Sequence, residues 1–259
     1  MIEINNMNFI GLQTFLSREV KRMMRVVVQT LISPWINAGL YILIFGYVVG
    51  SRIDLISGVS YIDFVLPGIV MLNLIGSSYM HTSSSLYFQR FARHIEEVLI
   101  APLSYVEIIF GFVLGGVTRG LIVGFGVYVL ALIFSAASVA HFGLFIFYSL
   151  AVSIIFSLIG LLVGLWAEGF EQLSILNTFF ITPLTFLGGV FNSVSMLPEK
   201  AQVLVRLNPF FYFVDGIRYS MIGISESNIT VGLIMILTLI VGLSTTVWYL
   251  FKIGWKIRN

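Results

Sequence analysis

Three histidines stand far apart in the chain: His81 in a Ser/Thr-rich stretch, His94 in a charged run and His141 at the edge of an apolar segment. Their spacing suits no metal, and neither a nucleophile with its base nor a paired acid and base can be picked out. The 259 residues include no cysteine, so thiolate chemistry, disulfides and Cys-based metal sites are excluded. A phosphate loop of the form G-x-x-x-x-G-K-[ST] is also missing. The nearest approach, Gly115-Gly116-Val117-Thr118-Arg119-Gly120, lacks the lysine and lies inside an apolar segment. Any ATP-driven work would therefore need ATP and Mg on another chain, with no cofactor on this one.

The remaining polar candidates are few. Arg119 sits near the middle of an apolar run, among Gly115, Gly116 and Gly120. A charge there costs at least ~2.5–3.5 kcal/mol and must face a bundle interior or an aqueous cavity, where it would meet an anionic substrate or a partner helix, or be held by backbone carbonyls. Asp215 and Arg218 lie three residues apart and can pair on one helical face. A dense charged run, Tyr87 to Ser104, is the one such stretch between the first and last apolar segments. Within it Phe91, Ile95, Val98 and Leu99 repeat at helical spacing, leaving Arg90, Arg93, Glu96 and Glu97 for water or a partner. Pro102 blocks continuation of that helix. The competing reading is an ordinary loop whose charges only fix topology.

The elements that must position these residues are membrane spans. A chain 58% hydrophobic and 10% charged departs far from soluble composition. Its apolar residues gather into runs near the ~20 residues needed to cross a bilayer. The expected fold is an all-α membrane protein with six spans, at 26–50, 62–86, 105–134, 142–166, 173–191 and 229–251. Residues 10–25 read as an interfacial helix: Leu12, Phe15, Leu16, Val20, Met23 and Val27 form an apolar stripe, opposite Gln13, Arg18, Lys21, Arg22 and Arg25. Residues 88–102 hold the charged helix. The segment 192–228 reads either as two re-entrant half-helices broken at Asn208-Pro209 or as a surface loop. The opening residues Met1-Ile2-Glu3-Ile4-Asn5-Asn6 lack the pattern of a removable leader.

Lys and Arg bias sets the orientation. One face gathers Arg18, Lys21, Arg22, Arg25, Arg90, Arg93, Lys252, Lys256 and Arg258; the other holds Arg52, Lys200, Arg206 and Arg218. The first is expected to be cytoplasmic, with both termini on it and the short turn carrying Glu168 and Glu171. Glycines in the third, fourth and fifth spans allow close helix packing. Pro34, Pro67 and Pro183 are expected kinks or breaks. Asn228-Ile229-Thr230 matches a glycosylation sequon by chance, and a net charge of +2 gives no reason to expect nucleic acid.

Three segments carry a resemblance: Arg93-His94-Ile95-Glu96-Glu97-Val98-Leu99-Ile100-Ala101-Pro102, Thr182-Pro183-Leu184-Thr185-Phe186-Leu187-Gly188-Gly189-Val190-Phe191, and Leu207-Asn208-Pro209-Phe210-Phe211-Tyr212-Phe213-Val214-Asp215-Gly216-Ile217-Arg218-Tyr219. With the order of spans they make the chain similar to the type-2 permease subunits of bacterial ABC exporters, nearest the multidrug-type inner-membrane permeases.

That resemblance implies a homodimer in the bacterial inner membrane, each copy docking one separate ATP-binding subunit, and no enzyme activity of its own. Arg90, Phe91, Arg93, His94, Ile95, Glu96, Glu97, Val98 and Leu99 would form the coupling helix, with Glu168 and Glu171 as a second contact. Arg119, Phe210, Phe211, Tyr212, Asp215 and Arg218 would line the substrate path or its gate. The implied cargo is an amphiphilic small molecule or lipid moved outward. The alternatives are a polysaccharide or lipid-linked glycan, and an ion-coupled secondary transporter, which would need carboxylates deep in the spans.

Overall fold

A computed structural model describes residues 8–53, 55–56, 58–134 and 138–257. The opening residues 1–6, read above for a leader, and Arg258 of the charge bias lie outside them. The described chain is helical, with one isolated bridge between Ile56 and Val59.

The first helix, α1 (Phe9–Arg25), is capped by Asn8, whose side chain accepts from the Gly11 N–H at 2.9 Å. The first span, Val28–Arg52, is not one regular helix. A widened π turn at Val28–Ile32 precedes α2 (Ser33–Tyr41), and a second, Ile42–Val49, follows it. Pro34 accounts for the first widening: it has no N–H to donate and its ring crowds the carbonyl one turn back. The same device recurs at Pro183, where α7 (Phe170–Leu176) passes through a π turn, Asn177–Ile181, into α8 (Thr182–Leu187). Pro67, an expected kink, lies within α3 (Tyr61–Phe91), which runs through it unbroken.

Among the described residues, five helices are long and apolar enough to cross a membrane: Val28–Arg52, α3, α5 (Tyr105–Phe134), α6 (Phe142–Trp166) and α11 (Ile229–Ile253). The expected sixth span, 173–191, is not among them: over 170–187 the chain forms three short helical pieces, α7, the π turn and α8. Helix α3 is the hub, packed against α5, α6 and α10 (Pro209–Ile222). Its small residues Ser78, Thr82 and Ser83 meet glycines of the neighbours. A Cβ on Gly160 of α6 would lie 2.6 Å from the Tyr79 carbonyl oxygen, so only glycine allows that approach. By contrast α11 buries only Gly232, Ile236, Val247 and Phe251, leaving most of its apolar surface facing outward.

The charged helix expected at 88–102 is divided. Residues 88–91 continue α3, the chain reverses at 92–94 with Arg93 in the left-handed region (φ 59°), and α4 spans only Ile95–Ile100. A reversal this tight needs a residue at positive φ, which a single continuous helix cannot supply. At the other end of the bundle, α9 (Glu199–Leu207) and α10 are separated at Asn208-Pro209, as expected. They differ in depth. Helix α10 is buried along most of its length, whereas α9 buries only Val205. The Asn208 side chain joins them to the core, donating to the Leu184 carbonyl at 2.6 Å and accepting from the Phe210 N–H at 3.0 Å.

Candidate functional site

One end of the bundle gathers α1, the α3–α4 reversal, the turn at 167–169 and the carboxy-terminal end. Ile95 and Val98 of α4 are buried in an apolar cluster with Phe15 of α1, Ile108 and Phe112 of α5, Leu161 and Leu165 of α6 and Phe251 of α11. Leu99 packs at its edge. The opposite side of the reversal faces solvent: Phe91 is 70% exposed, Ile100 84%, and Arg93, His94, Glu96 and Glu97 are exposed with them. The expected stripe therefore lacks Phe91, whose ring stacks on Tyr87 instead, centroids 6.0 Å apart.

Arg90 is also placed differently from a docking surface. Its guanidinium turns inward and donates to the carbonyls of Lys256 (2.7 Å), Gly164 (2.7 Å) and Ala167 (3.2 Å), tying the carboxy-terminal end to the end of α6. Glu168 is exposed and accepts from Lys256 Nζ at 2.6 Å, which lowers its carboxyl from the ordinary range. Glu171 is exposed on the first turn of α7.

Beside α4, a cleft of 840 Å³ is walled by Arg18, Lys21, Arg22 and Arg25 of α1 and by Phe88, Gln89 and His94. Its floor is a buried polar cluster that the sequence reading missed. Glu19, fully buried, accepts from Ser85 Oγ (2.6 Å) and Gln89 Nε2 (3.1 Å) of α3, and lies 3.3 Å from both Arg22 Nη2 and His81 Nε2. Burial pushes the Glu19 carboxyl up, but His81, Arg22 and Ser85 together outweigh it and hold the group at about 2. The signal was available: Glu19 stands between Phe15 and Met23 at four-residue spacing, on the stripe assigned to apolar residues.

Midway along the bundle a smaller cleft of 310 Å³ is bordered by three helical faces and closed by Arg119. Pro34, Asn37 and Tyr41 come from α2; Asn73, Ser77 and Met80 from α3; Asn177, Ile181 and Thr182 from the α7–α8 segment. The α2 and α3 sets repeat at three- to four-residue spacing, so each is one face of one helix, while the third set comes from the π turn and the start of α8. Of the roles considered for Arg119, pairing with backbone carbonyls is not observed, because it makes no hydrogen bond among the described residues and its Nε is buried without a partner. The asparagines carried the missed signal, as amides inside apolar runs.

The outer candidates are mostly interior. Phe210 packs against Phe156 and Phe213, and Phe211 against Val194 and Val205; they are 7% and 1% exposed, so neither ring borders a path through the chain as described. Tyr212 is partly exposed and donates to the Arg206 carbonyl at 3.1 Å. Asp215 and Arg218 lie 4.0 Å apart, yet each spends its main bonds elsewhere. Asp215 accepts from the N–H groups of Glu226 and Ser227 (both 2.9 Å) and the hydroxyls of Ser225 (2.8 Å) and Ser227 (2.6 Å). Arg218, fully buried, donates to the Phe64 and Gly189 carbonyls and lies over the Phe64 ring. Asn228 of the sequon caps α11 through the Thr230 N–H. Among the described residues no group of three or more His, Asp or Glu could hold a metal.

Comparison with known proteins places this architecture. The family model for ABC-2 type transporters matches residues 11–222. The inner membrane transport permease YadH of Escherichia coli K12 is 39% identical over 252 residues, covering 97% of this chain and 98% of its own. Nodulation protein J of Rhizobium meliloti is 26% identical over 189 residues, covering 71% of each chain. A match across the spans, the α3–α4 reversal and the α9–α10 break makes the chain a multi-pass membrane protein that belongs to the ABC-2 type transporter family.

Proposed function

We propose that this chain is the permease subunit of an ATP-driven exporter that moves an amphiphilic small molecule or lipid outward across the bacterial inner membrane. Members of its family are permease subunits that work with an ATP-binding subunit. In this reading two copies pack together, each docks one ATP-binding subunit, and both termini are cytoplasmic. The 170–187 segment is the sixth crossing. ATP and Mg belong to the partner, and this chain does no hydrolysis.

The carrying observation is the two-sidedness of α4. Arg93, Glu96, Glu97 and Ile100 are offered to solvent, while Ile95 and Val98 are seated among residues of α1, α5, α6 and α11. A push on the exposed side would act on the packed helices together, because a close-packed cluster moves as a body. Glu168 and Glu171 would add a weaker contact. The cargo path is assigned to the faces of α2, α3 and the α7–α8 segment around Arg119, with α9, Tyr212 and the α10 core at its outer end. Ion coupling has less support: Asp63 and Glu107 lie in the first turns of their helices rather than deep within them.

One observation favours a glycan as the alternative cargo. Rings of Tyr41, Phe45 and Phe186 all contact Phe191, at 5.9, 4.1 and 5.3 Å, making an aromatic group that begins at the Arg119 cleft. Aromatic faces of this kind suit sugar rings as well as apolar tails.

The test is co-purification with the ATP-binding subunit of the same genome, comparing wild type with Glu96→Ala/Glu97→Ala. The double variant is expected to lose assembly or stimulated ATP hydrolysis while its unfolding midpoint stays put. Failure of the wild type to bind any ATP-binding subunit would overturn the reading.

A further inference from the structure

We propose that the cleft at Arg119 is an anion-binding subsite, which takes a carboxylate or phosphate group carried by an amphiphile. The inference rests on the permease reading and deepens it by naming the charge of the cargo.

The argument begins with an unbalanced cation. Arg119 lies near the middle of α5, is only 9% exposed, and makes neither a hydrogen bond nor an ion pair among the described residues. A guanidinium always carries its charge, so burial cannot be relieved by losing a proton. Among the described residues, the groups that act on it electrostatically are Arg22, of the same sign, and the imidazole of His81, and neither is an anion. Arg22 is itself matched to Glu19, leaving Arg119 as the excess.

A second copy of the chain does not supply the counter-charge at this depth. Within the described spans, Asp63 and Glu107 occupy first turns, and no carboxylate lies near the middle. Among the described residues the remaining acids lie on α1, in α4, at Glu168 and the first turn of α7, or at the outer end. An anion from outside the protein is the partner that chemistry leaves.

The lining agrees. Side chains of Asn37, Asn177, Thr182 and Ser77 border the cleft and make no hydrogen bond within the described chain. Amide and hydroxyl donors beside a guanidinium are the set that holds an oxyanion, with charge for affinity and neutral donors for orientation. Pro34, Tyr41, Leu72, Met80 and Ile181 supply the apolar wall against which a tail could lie. At 310 Å³ the space accommodates a headgroup and the start of a chain.

The experiment uses the full chain in nanodiscs of zwitterionic phosphatidylcholine. The probes are a fluorescent anthroyloxy fatty acid and the primary amide of the same acid, titrated at pH 8. Wild type is expected to bind the acid more tightly than the amide. Arg119→Gln should weaken the acid roughly 10- to 100-fold, the range for one charge-assisted hydrogen-bonded pair, and leave the amide unchanged. Arg119→Lys should restore part of the loss. Should Arg119→Gln fail to fold, Asn177→Leu with Thr182→Val keeps the charge and should still weaken the acid by about threefold or more, the loss expected on removing neutral donors.

Added phosphatidylglycerol separates the two sources of the anion: competition assigns the subsite to a phospholipid headgroup, and its absence assigns it to the cargo. No saturable binding of the acid by wild type, equal affinity for acid and amide, or an Arg119→Gln chain that binds the acid as before would each overturn the proposal. Because no ATP-binding subunit is present, the result is independent of coupling. A chain that assembles with its ATPase yet shows no preference for the acid keeps the permease reading and loses this one.

Discussion

Replacing Glu19 by Gln would remove the charge at the centre of the α1–α3 contact while keeping its shape. In the folded chain the Glu19 carboxyl titrates at about 2 against an ordinary 4.5. That difference corresponds to ~3 kcal/mol of preferential stabilisation of the carboxylate form, as an order of magnitude. The partners give the same scale: a buried acid with Arg22 and His81 at 3.3 Å leaves uncompensated groups when neutralised, a loss of about 3–5 kcal/mol, moderated here because the Arg22 side chain is about one-third exposed. At roughly 2–4 °C per kcal/mol for a chain of this length, the unfolding midpoint should fall by about 6–12 °C. Intrinsic fluorescence of the four tryptophans in a temperature ramp reads this directly, with no thiol label available in a cysteine-free chain. The sign with pH follows from the lowered value. The stabilisation is complete above the unfolded value of 4.5 and is lost as pH falls toward about 2, so the gap between wild type and Glu19→Gln should be full at pH 7 and shrink from pH 5 to pH 3. A variant melting within 1–2 °C of wild type at pH 7, or a gap that widens on acidification, would refute the reasoning.

Arg90→Ala should lower the midpoint through loss of three carbonyl bonds, by about 2–3 kcal/mol, and its effect on ATPase assembly should track that loss of stability rather than exceed it, as a melting curve beside a pull-down would show. Gly160→Ala places a methyl against the Tyr79 carbonyl and should cost ~1–3 kcal/mol through separation of α3 and α6, read as a lower midpoint than the control Gly143→Ala, where a Cβ meets open space. Asp215→Ala removes the four bonds that its carboxylate accepts from the 225–227 turn and should speed proteolysis there; unchanged cleavage would count against the outer-end assignment.

How far the sequence reaches is clearest in particular residues. Ile95 and Val98 were readable as the seated face of a short helix because spacing alone selects a face. The same spacing puts Phe91 on that face and Arg90 on the opposite, partner-facing one, and neither lies there, since the helical register ends at a reversal that Arg93 makes possible. Asp215 and Arg218 could be paired from their three-residue spacing. Their stronger bonds run to the 225–227 turn, Phe64 and Gly189, and no local pattern announces partners so distant in the chain.

By itself the sequence determined the class of protein, the places of its long apolar helices, the break at Asn208-Pro209 and the absence of a phosphate loop. These follow from composition, hydropathy over windows of ~20 residues and single breaker residues, all of which are local quantities. Tertiary structure decided what the buried charges do. Whether Glu19 is an interfacial liability or the centre of a hydrogen-bonded cluster, and whether Arg119 is tied to carbonyls or left facing a cleft of asparagines, depends on which helix faces meet. Faces are brought together by packing between residues tens of positions apart, through glycine contacts such as Gly160 on Tyr79, and hydropathy along the chain carries no record of that pairing.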